Sequence, residues 1–500
     1  MLLGQLKLPI LGMIALIGAA ALVCLGAAGN PTPDPTPAPA PTSTPAPPPV
    51  DIPPIATYPG VTPWTAWSAS SINELRHLKT PTGSPRWPTP NPWFPIDLYQ
   101  GTITRQQFEQ KLHSLYDPFS AFPAYLDIND SRVVIYPSPQ ERQIPQFVLE
   151  FAPPNQPRAP MRWFRTPAEV RTMSHPLDGP LNGLRVAIDP GHIGGPWAQM
   201  EGRSTRYNGS APVQEGDLNL ITARLLKQEL TAMGASVFVV RDSTEPVTPY
   251  RPDDMLEEAR ELLIAHSSHA QNLHALPADK LNLLFGQRLM ELSEFLFYRC
   301  SEIKERGNRI RNNFVPDITI ILYIDATPRS ARGRVTSGNA NIFFVGGSYT
   351  KSEIADPEMR RRCVYKMVEG GADIETEVAA DIADVFKQRT GLGPVPYGDS
   401  STTRAVIPNN PYVVARNLAA NREYDGPVVC TEPYFMNNET VYKRLLAGDY
   451  EGQRTFDAKG YGSIFREYAD CVAQGLVKAY SGPTVIAAGS SPESAAPQNK

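Results

Sequence analysis

The sequence predicts an α/β fold: a single, mostly parallel sheet flanked by helices, preceded by a small α+β accessory segment. Three observations carry this. Between residues 179 and 482, short runs rich in Val, Ile and Phe alternate with longer amphipathic stretches, the pattern of strands joined by helices. Runs such as Leu184–Ile188 and Ile318–Ile324 are apolar except for Arg185 and Thr319, without alternation, so those strands have both faces covered. Polar residues of chemical interest stand just past the ends of such runs, where open α/β sheets keep their ligand sites.

The chain has 500 residues, with 47 Lys+Arg against 51 Asp+Glu, a formal net charge of −4. That balance lacks the basic footprint of a nucleic-acid partner. The 41% of apolar residues suffices for a core. Five cysteines are too few, and too odd a number, for a disulfide scaffold. Proline is in excess, at 52 residues, and much of it lies early in the chain.

Residues 1–28 read as a targeting segment. Lys7 precedes an apolar run from Leu8 to Ala28, which suits either a cleaved signal peptide or an uncleaved membrane anchor. Val23 before Cys24 argues against a lipoprotein signal, which needs a small residue there. Residues 29–96 read as a Pro-rich tether. In Pro31–Pro49, ten of 19 residues are proline, which prevents ladder formation and favours an extended rod. Contact with a membrane is therefore expected only through the N-terminal segment, and the rest of the chain is expected outside the cytoplasm, in the periplasm or cell envelope.

Residues 97–178 form the accessory segment. Thr104–Tyr116 has helical spacing of Phe108, Leu112 and Leu115 behind a threonine cap, and strands follow at Ala124–Ile128, Val133–Tyr136 and Phe147–Phe151. The main domain, 179–482, opens with the strand Leu184–Ile188. A helix at Leu218–Met233 is closed by Gly234, and further strands are expected at Val237–Val240, Ile318–Ile324, Asn341–Val345 and Val428–Cys430. Helices are expected at Ile374–Arg389 and Phe465–Ala479. Residues 255–309 interrupt the alternation as a helical, charged insertion. Residues 483–500 read as a disordered tail.

Four positions concentrate the chemistry. His192 ends the strand in Ile188-Asp189-Pro190-Gly191-His192. Glu215 precedes the helix near Leu218. Asp325 ends the long apolar strand, and Glu432 follows Val428-Val429-Cys430. An imidazole and carboxylates converging on one sheet edge suit a zinc site with a position open to water. Asp189 either accepts a hydrogen bond behind the histidine or orders the turn. Arg241 reads as a residue that fixes a loop.

These motifs resemble those of the zinc-dependent N-acetylmuramoyl-L-alanine amidases, over roughly residues 183–480. The resemblance rests on Arg185–His192 (RVAIDPGH), Glu215 before Asp217-Leu218-Asn219-Leu220, Val239-Val240-Arg241, Ser337-Gly338 before Asn341-Ile342-Phe343-Phe344, and Pro427–Asn437 (PVVCTEPYFMN), in that order. It implies a zinc amidase fold, Zn2+ as cofactor, His192, Glu215 and Asp325 as metal ligands, Glu432 as catalytic base, and peptidoglycan as partner. The reaction it implies is hydrolysis of the amide between N-acetylmuramic acid and L-alanine. One position departs from the pattern: Asp325, in Tyr323-Ile324-Asp325-Ala326, stands where the family has histidine. Three readings follow. Asp325 is itself the ligand, or the site is degenerate and the chain is a peptidoglycan-binding module, or His266, His269 or His274 of the insertion reaches the metal. The insertion reads either as extra packing or as a cover displaced by a protein activator.

Overall fold

The largely apolar runs become the middle of a seven-stranded sheet. The structure, a computed structural model, describes residues 92–173, 178–207, 209–265, 273–326, 335–397 and 403–481. The targeting segment, nearly all of the tether, the tail, His266 and His269 lie outside these residues. In chain order the sheet domain comprises β1 (Arg185–Pro190), α1 (Glu215–Ala232), β2 (Ser236–Val239), α2 (Glu302–Asn313), β3 (Ile318–Leu322), β4 (Asn341–Gly346), α3 (Ala372–Thr390), β5 (Thr403–Ala405), β6 (Val413–Arg416), β7 (Val428–Pro433) and α4 (Ile464–Ser481).

Strand order across the sheet is β5-β6-β4-β7-β3-β1-β2. The pairings β2–β1, β1–β3, β3–β7 and β4–β6 are parallel; β4–β7 and β5–β6 are antiparallel. The expected mostly parallel sheet is therefore present. Ile188 pairs with Ile320 and with Val239, so β1, β2, β3 and β7 end at one common edge.

Both faces are covered. Helices α1, α3 and α4 pack together on one face. Gly475 permits the closest approach, because a Cβ there would lie 2.6 Å from the Ile382 Cα. On the other face Ile310 of α2 joins Ala187, Ile321, Phe344, Cys430 and Tyr424 in a second apolar cluster. Burial of this two-sided kind accounts for the absence of alternation in β3, whose five residues are all buried.

The accessory segment follows the expected elements. Thr104 caps the helix Arg105–Lys111 in a reciprocal capping box with Gln107. Leu126–Ile128, Arg132–Ile135 and Phe147–Glu150 form an antiparallel sheet. The described chain already includes Trp93, stacked on Phe147, and a helical turn at Phe94–Asp97, ahead of the expected boundary at 97. The segment shares its core with the main sheet. The Tyr116 hydroxyl donates to the Lys366 carbonyl, and Arg360 donates to the Pro137 carbonyl and the Gln146 side chain.

Three expectations change. Helix α1 begins at Glu215 rather than near Leu218, so Glu215 is its first residue. Strand β7 runs on to Pro433, because Glu432 and Pro433 pair with Ile342 and Asn341 of β4. The stretch 255–309 is helical, yet its last part belongs to α2, which covers the sheet, so it is no detachable addition. The sequence reading passed over β5, β6 and the helix Pro357–Glu369, whose arginines obscure its apolar face. The four described cysteines are free thiols. No helix among the described residues is long and apolar enough to cross a membrane.

Candidate active site

The loop after β1 is tightly constrained. His192 adopts φ +60°, a left-handed conformation that costs a non-glycine residue roughly 1–2 kcal/mol. Neighbouring backbone holds it there. A Cβ at Gly191 would meet the Leu322 carbonyl oxygen at 2.6 Å, and one at Gly216 would meet the Ile193 oxygen at 2.3 Å, so only glycine lets β3 and α1 close on the loop.

Two buried guanidiniums tie the loop down. Arg241, just past β2, donates to the Pro190 and Gly216 carbonyls and to that of Ser243. Burial and the nearby Arg306 charge lower its pKa to about 10. Arg241 thus fixes a loop, as expected. Arg306 of α2 donates to Asp189 Oδ1 at 2.9 Å, to the Pro190 oxygen at 2.9 Å, to the His192 oxygen at 2.8 Å and to Glu302 Oε1 at 2.7 Å. The other Asp189 oxygen accepts the Tyr424 hydroxyl at 2.5 Å. Asp189 therefore orders the turn from behind and does not touch the imidazole.

His192 stands between two carboxylates. Its Nδ1 is 3.5 Å from Glu201 Oε1 and its Nε2 is 3.4 Å from Glu215 Oε2. Burial alone would raise the Glu201 carboxyl; the His192 charge and hydrogen bonds from His192 and the Ile193 amide outweigh it and hold the pKa down. Glu215 Oε1 accepts the Ile324 amide at 3.2 Å, which fastens α1 to the end of β3. Its Oε2 also lies 3.4 Å from Arg203 Nη1.

Asp325 and Glu432 meet on the other side of the site. Beyond the ends of β3 and β7 the two chains pair again: Asp325 bridges Phe435, and the Met436 amide donates to the Asp325 carbonyl at 2.8 Å. Asp325 Oδ1 accepts its neighbour's amide, Ala326, at 2.6 Å. Burial, then the Glu432 charge, push the Asp325 carboxyl up to about 8. Glu432 is raised as well, chiefly by burial, while Arg416, Arg203 and His192 pull the other way. Arg416 Nη1 is 4.0 Å from Glu432 Oε2. The Glu432 charge disfavours ionisation of Asp325, while the cations around Glu432 favour its own ionised form.

His192, Glu215, Asp325 and Glu432 thus converge on one sheet edge. Two donors on one tetrahedral zinc ion stand about 3.3–3.4 Å apart, and the His192–Glu215 separation matches that. Glu201 on the second ring nitrogen is the usual outer partner of a metal-bound histidine. Among the described residues no group of three His, Cys, Asp or Glu is arranged to hold a metal, and one Asp325 carboxylate oxygen is engaged by the amide of Ala326. The residues therefore fit zinc as a pair and not as a closed three-ligand set. His274 does not complete it: the ring is half exposed, 3.9 Å from Glu261 in the insertion.

The sequence reading missed Glu201, Arg203, Arg306 and Arg416. Glu201 and Arg203 had a usable signal, a carboxylate and a cation in the short stretch between His192 and Glu215. Arg306 and Arg416 had none, since only the fold brings them there.

No family model matches the sequence, and no curated protein matches it either. Solved structures similar to the chain include the N-acetylmuramyl-L-alanine amidase Ami1 from Mycobacterium smegmatis, 14% identical over 60% of this chain and 98% of that one, with a TM-score of 0.33. The CwlD amidase from Clostridioides difficile, solved in complex with the GerS lipoprotein, is 15% identical over 60% and 99%, with a TM-score of 0.31. The catalytic domain of the amidase CwlV from Bacillus (Paenibacillus) polymyxa var. colistinus is 13% identical over 59% and 97%, with a TM-score of 0.30. At these TM-scores the likeness is slight, and the fold rests on the sheet order and register described above.

Proposed function

We propose that the chain acts on peptidoglycan outside the cytoplasm, hydrolysing the amide between N-acetylmuramic acid and L-alanine. The observation that carries this is His192, set between Glu201 and Glu215 on a strained strand-end loop, with Glu432 across the edge. The motifs from Arg185 to Asn437 support the same substrate. In this reading Glu432 takes a proton from the attacking water and passes it to the leaving amine of L-alanine, while the lactyl group departs as a carboxylate. Arg203 and Arg416 favour the ionised form that such a base needs. Glu201 holds the His192 ring through Nδ1. Zn2+ would find donors in His192 and Glu215, with Asp325 standing outside that pair.

The test is digestion of purified sacculi. Wild-type protein releases peptides with new L-alanine amino termini, and Glu432→Gln lowers that release at least about a hundredfold while the protein still sediments with sacculi. A second reading, a peptidoglycan-binding module without hydrolysis, is favoured by the Asp325 position. Sedimentation of the wild type with sacculi, with no new amino termini formed, would establish it instead. A protein activator acting on the 255–309 helices is part of the proposal: adding a lipoprotein partner would raise the rate of amino-terminus release.

A further inference from the structure

One oxygen of Glu215 serves two partners. Oε1 is already engaged by the Ile324 amide, at 3.2 Å, so a cation drawn to this carboxylate must use Oε2. That oxygen lies 3.4 Å from His192 Nε2 and equally 3.4 Å from Arg203 Nη1. The imidazole and the guanidinium thus contend for one atom.

The backbone sets Arg203 there. Its amide donates to the Ala198 carbonyl at 2.7 Å, and its carbonyl accepts the Glu215 amide at 3.1 Å. The next residues, Ser204 and Thr205, pair with Gln214 and Val213, the two residues just before α1. The main chain of Arg203 is therefore pinned beside the first turn of α1. Its side chain is 34% exposed, whereas those of His192 and Glu215 are 11% and 2% exposed. Water is open to the guanidinium and closed to its neighbours. Burial works against the Arg203 charge, and Glu215, Glu432 and Glu201 together outweigh it. An arginine keeps its proton at any working pH, so this cation is permanent. A buried carboxylate such as Glu215 needs one, because an unpaired charge out of water is strongly destabilising.

We propose that Arg203 is an internal counter-cation that competes with a metal ion for Glu215 Oε2. With the guanidinium in place the carboxylate is paired, and the fold does not depend on a metal. A divalent cation shared by His192 and Glu215 has to turn the guanidinium out toward solvent, since like charges held so close repel. The inference rests on the amidase reading for its choice of zinc.

The experiment measures zinc affinity with a chromogenic chelator, and melting temperature in EDTA and in added zinc, for wild type, Arg203→Met, Arg203→Gln and Arg203→Lys. The two neutral variants are expected to bind zinc at least about tenfold more tightly than wild type. They melt below wild type in EDTA, and zinc raises their melting temperature, because Glu215 then takes the metal as its partner. EDTA leaves the wild-type melting temperature unchanged, and Arg203→Lys, which keeps the charge, stays close to wild type in both readouts. Arg203→Gln, which keeps a hydrogen-bonding head, carries the test where methionine prevents folding. The proposal is overturned if neither neutral variant gains affinity, if Arg203→Lys gains as much as they do, or if EDTA lowers the wild-type melting temperature. The amidase reading fails separately, if wild type at saturating zinc releases no L-alanine amino termini from sacculi; the gain of affinity in the neutral variants would then still establish the competition.

Discussion

Replacing Arg306 with methionine removes the cation at the centre of the buried network while keeping the apolar stem. The side chain is 4% exposed, and its partners Asp189 and Glu302 are each 2% exposed. The substitution leaves two carboxylates out of water. Each keeps one neutral donor, the Tyr424 hydroxyl on Asp189 and the Thr248 amide on Glu302. Breaking a buried pair by deleting one partner costs roughly 3–5 kcal/mol, because the orphaned charge stays desolvated. Here two charges are orphaned, so the upper part of that range is expected. Urea unfolding of wild type and Arg306→Met at pH 7 measures the loss. Neutralising the partners as well, in Arg306→Met/Asp189→Asn/Glu302→Gln, should restore most of it, since neither partner then carries an orphaned buried charge. The same substitution frees the His192 carbonyl, so sacculus cleavage should fall even at temperatures where the variant stays folded. A loss under about 1 kcal/mol, or a triple variant less stable than the single one, would refute the reasoning.

Glu369 gives a pH signature far from the site. It is 1% exposed, and burial, partly relieved by Lys366 and reinforced by Asp425, raises its pKa from 4.5 to about 7. The folded state therefore holds a proton that the unfolded state releases near 4.5. The resulting contribution is complete below that value and is lost as pH rises through about 7. It amounts to at most about 3 kcal/mol. Urea unfolding of Glu369→Gln should show a smaller fall in stability between pH 5 and 8 than the wild type; parallel curves would contradict this. Glu201→Gln replaces the charged acceptor beside His192 Nδ1 with a neutral amide, and sacculus cleavage should drop about ten- to a hundredfold with little change in melting temperature.

The sheet was legible because burial on both faces leaves no alternation, and β1, β3 and β4 are largely apolar and almost wholly buried. The convergence of His192, Glu215, Asp325 and Glu432 on one sheet edge was legible because they sit at element ends, where side chains leave the sheet. Long-range pairings were not. Arg306 lies 117 residues from Asp189 in sequence, and nothing local distinguishes it from the other arginines of α2. Strand β7 was cut short because Thr431 and Glu432 look like a strand end. Pairing with β4 continues through them, since β4 runs antiparallel and supplies partners at that edge. The aspartate at 325 was visible as a departure, but its consequence depended on where its carboxyl turns. The structure puts one of its oxygens on its own Ala326 amide, and burial together with the Glu432 charge raises its pKa.

The central proposal is that His192 and Glu215 form a metal-binding pair beside Glu432 as the base, with Asp325 outside that pair. Zinc titration against a chromogenic chelator, on wild type and Asp325→His, tests it most directly. The account predicts weak binding by the wild type and a gain of at least about tenfold, or 1.4 kcal/mol, in the variant. A wild type that binds one zinc ion as tightly as Asp325→His would contradict it.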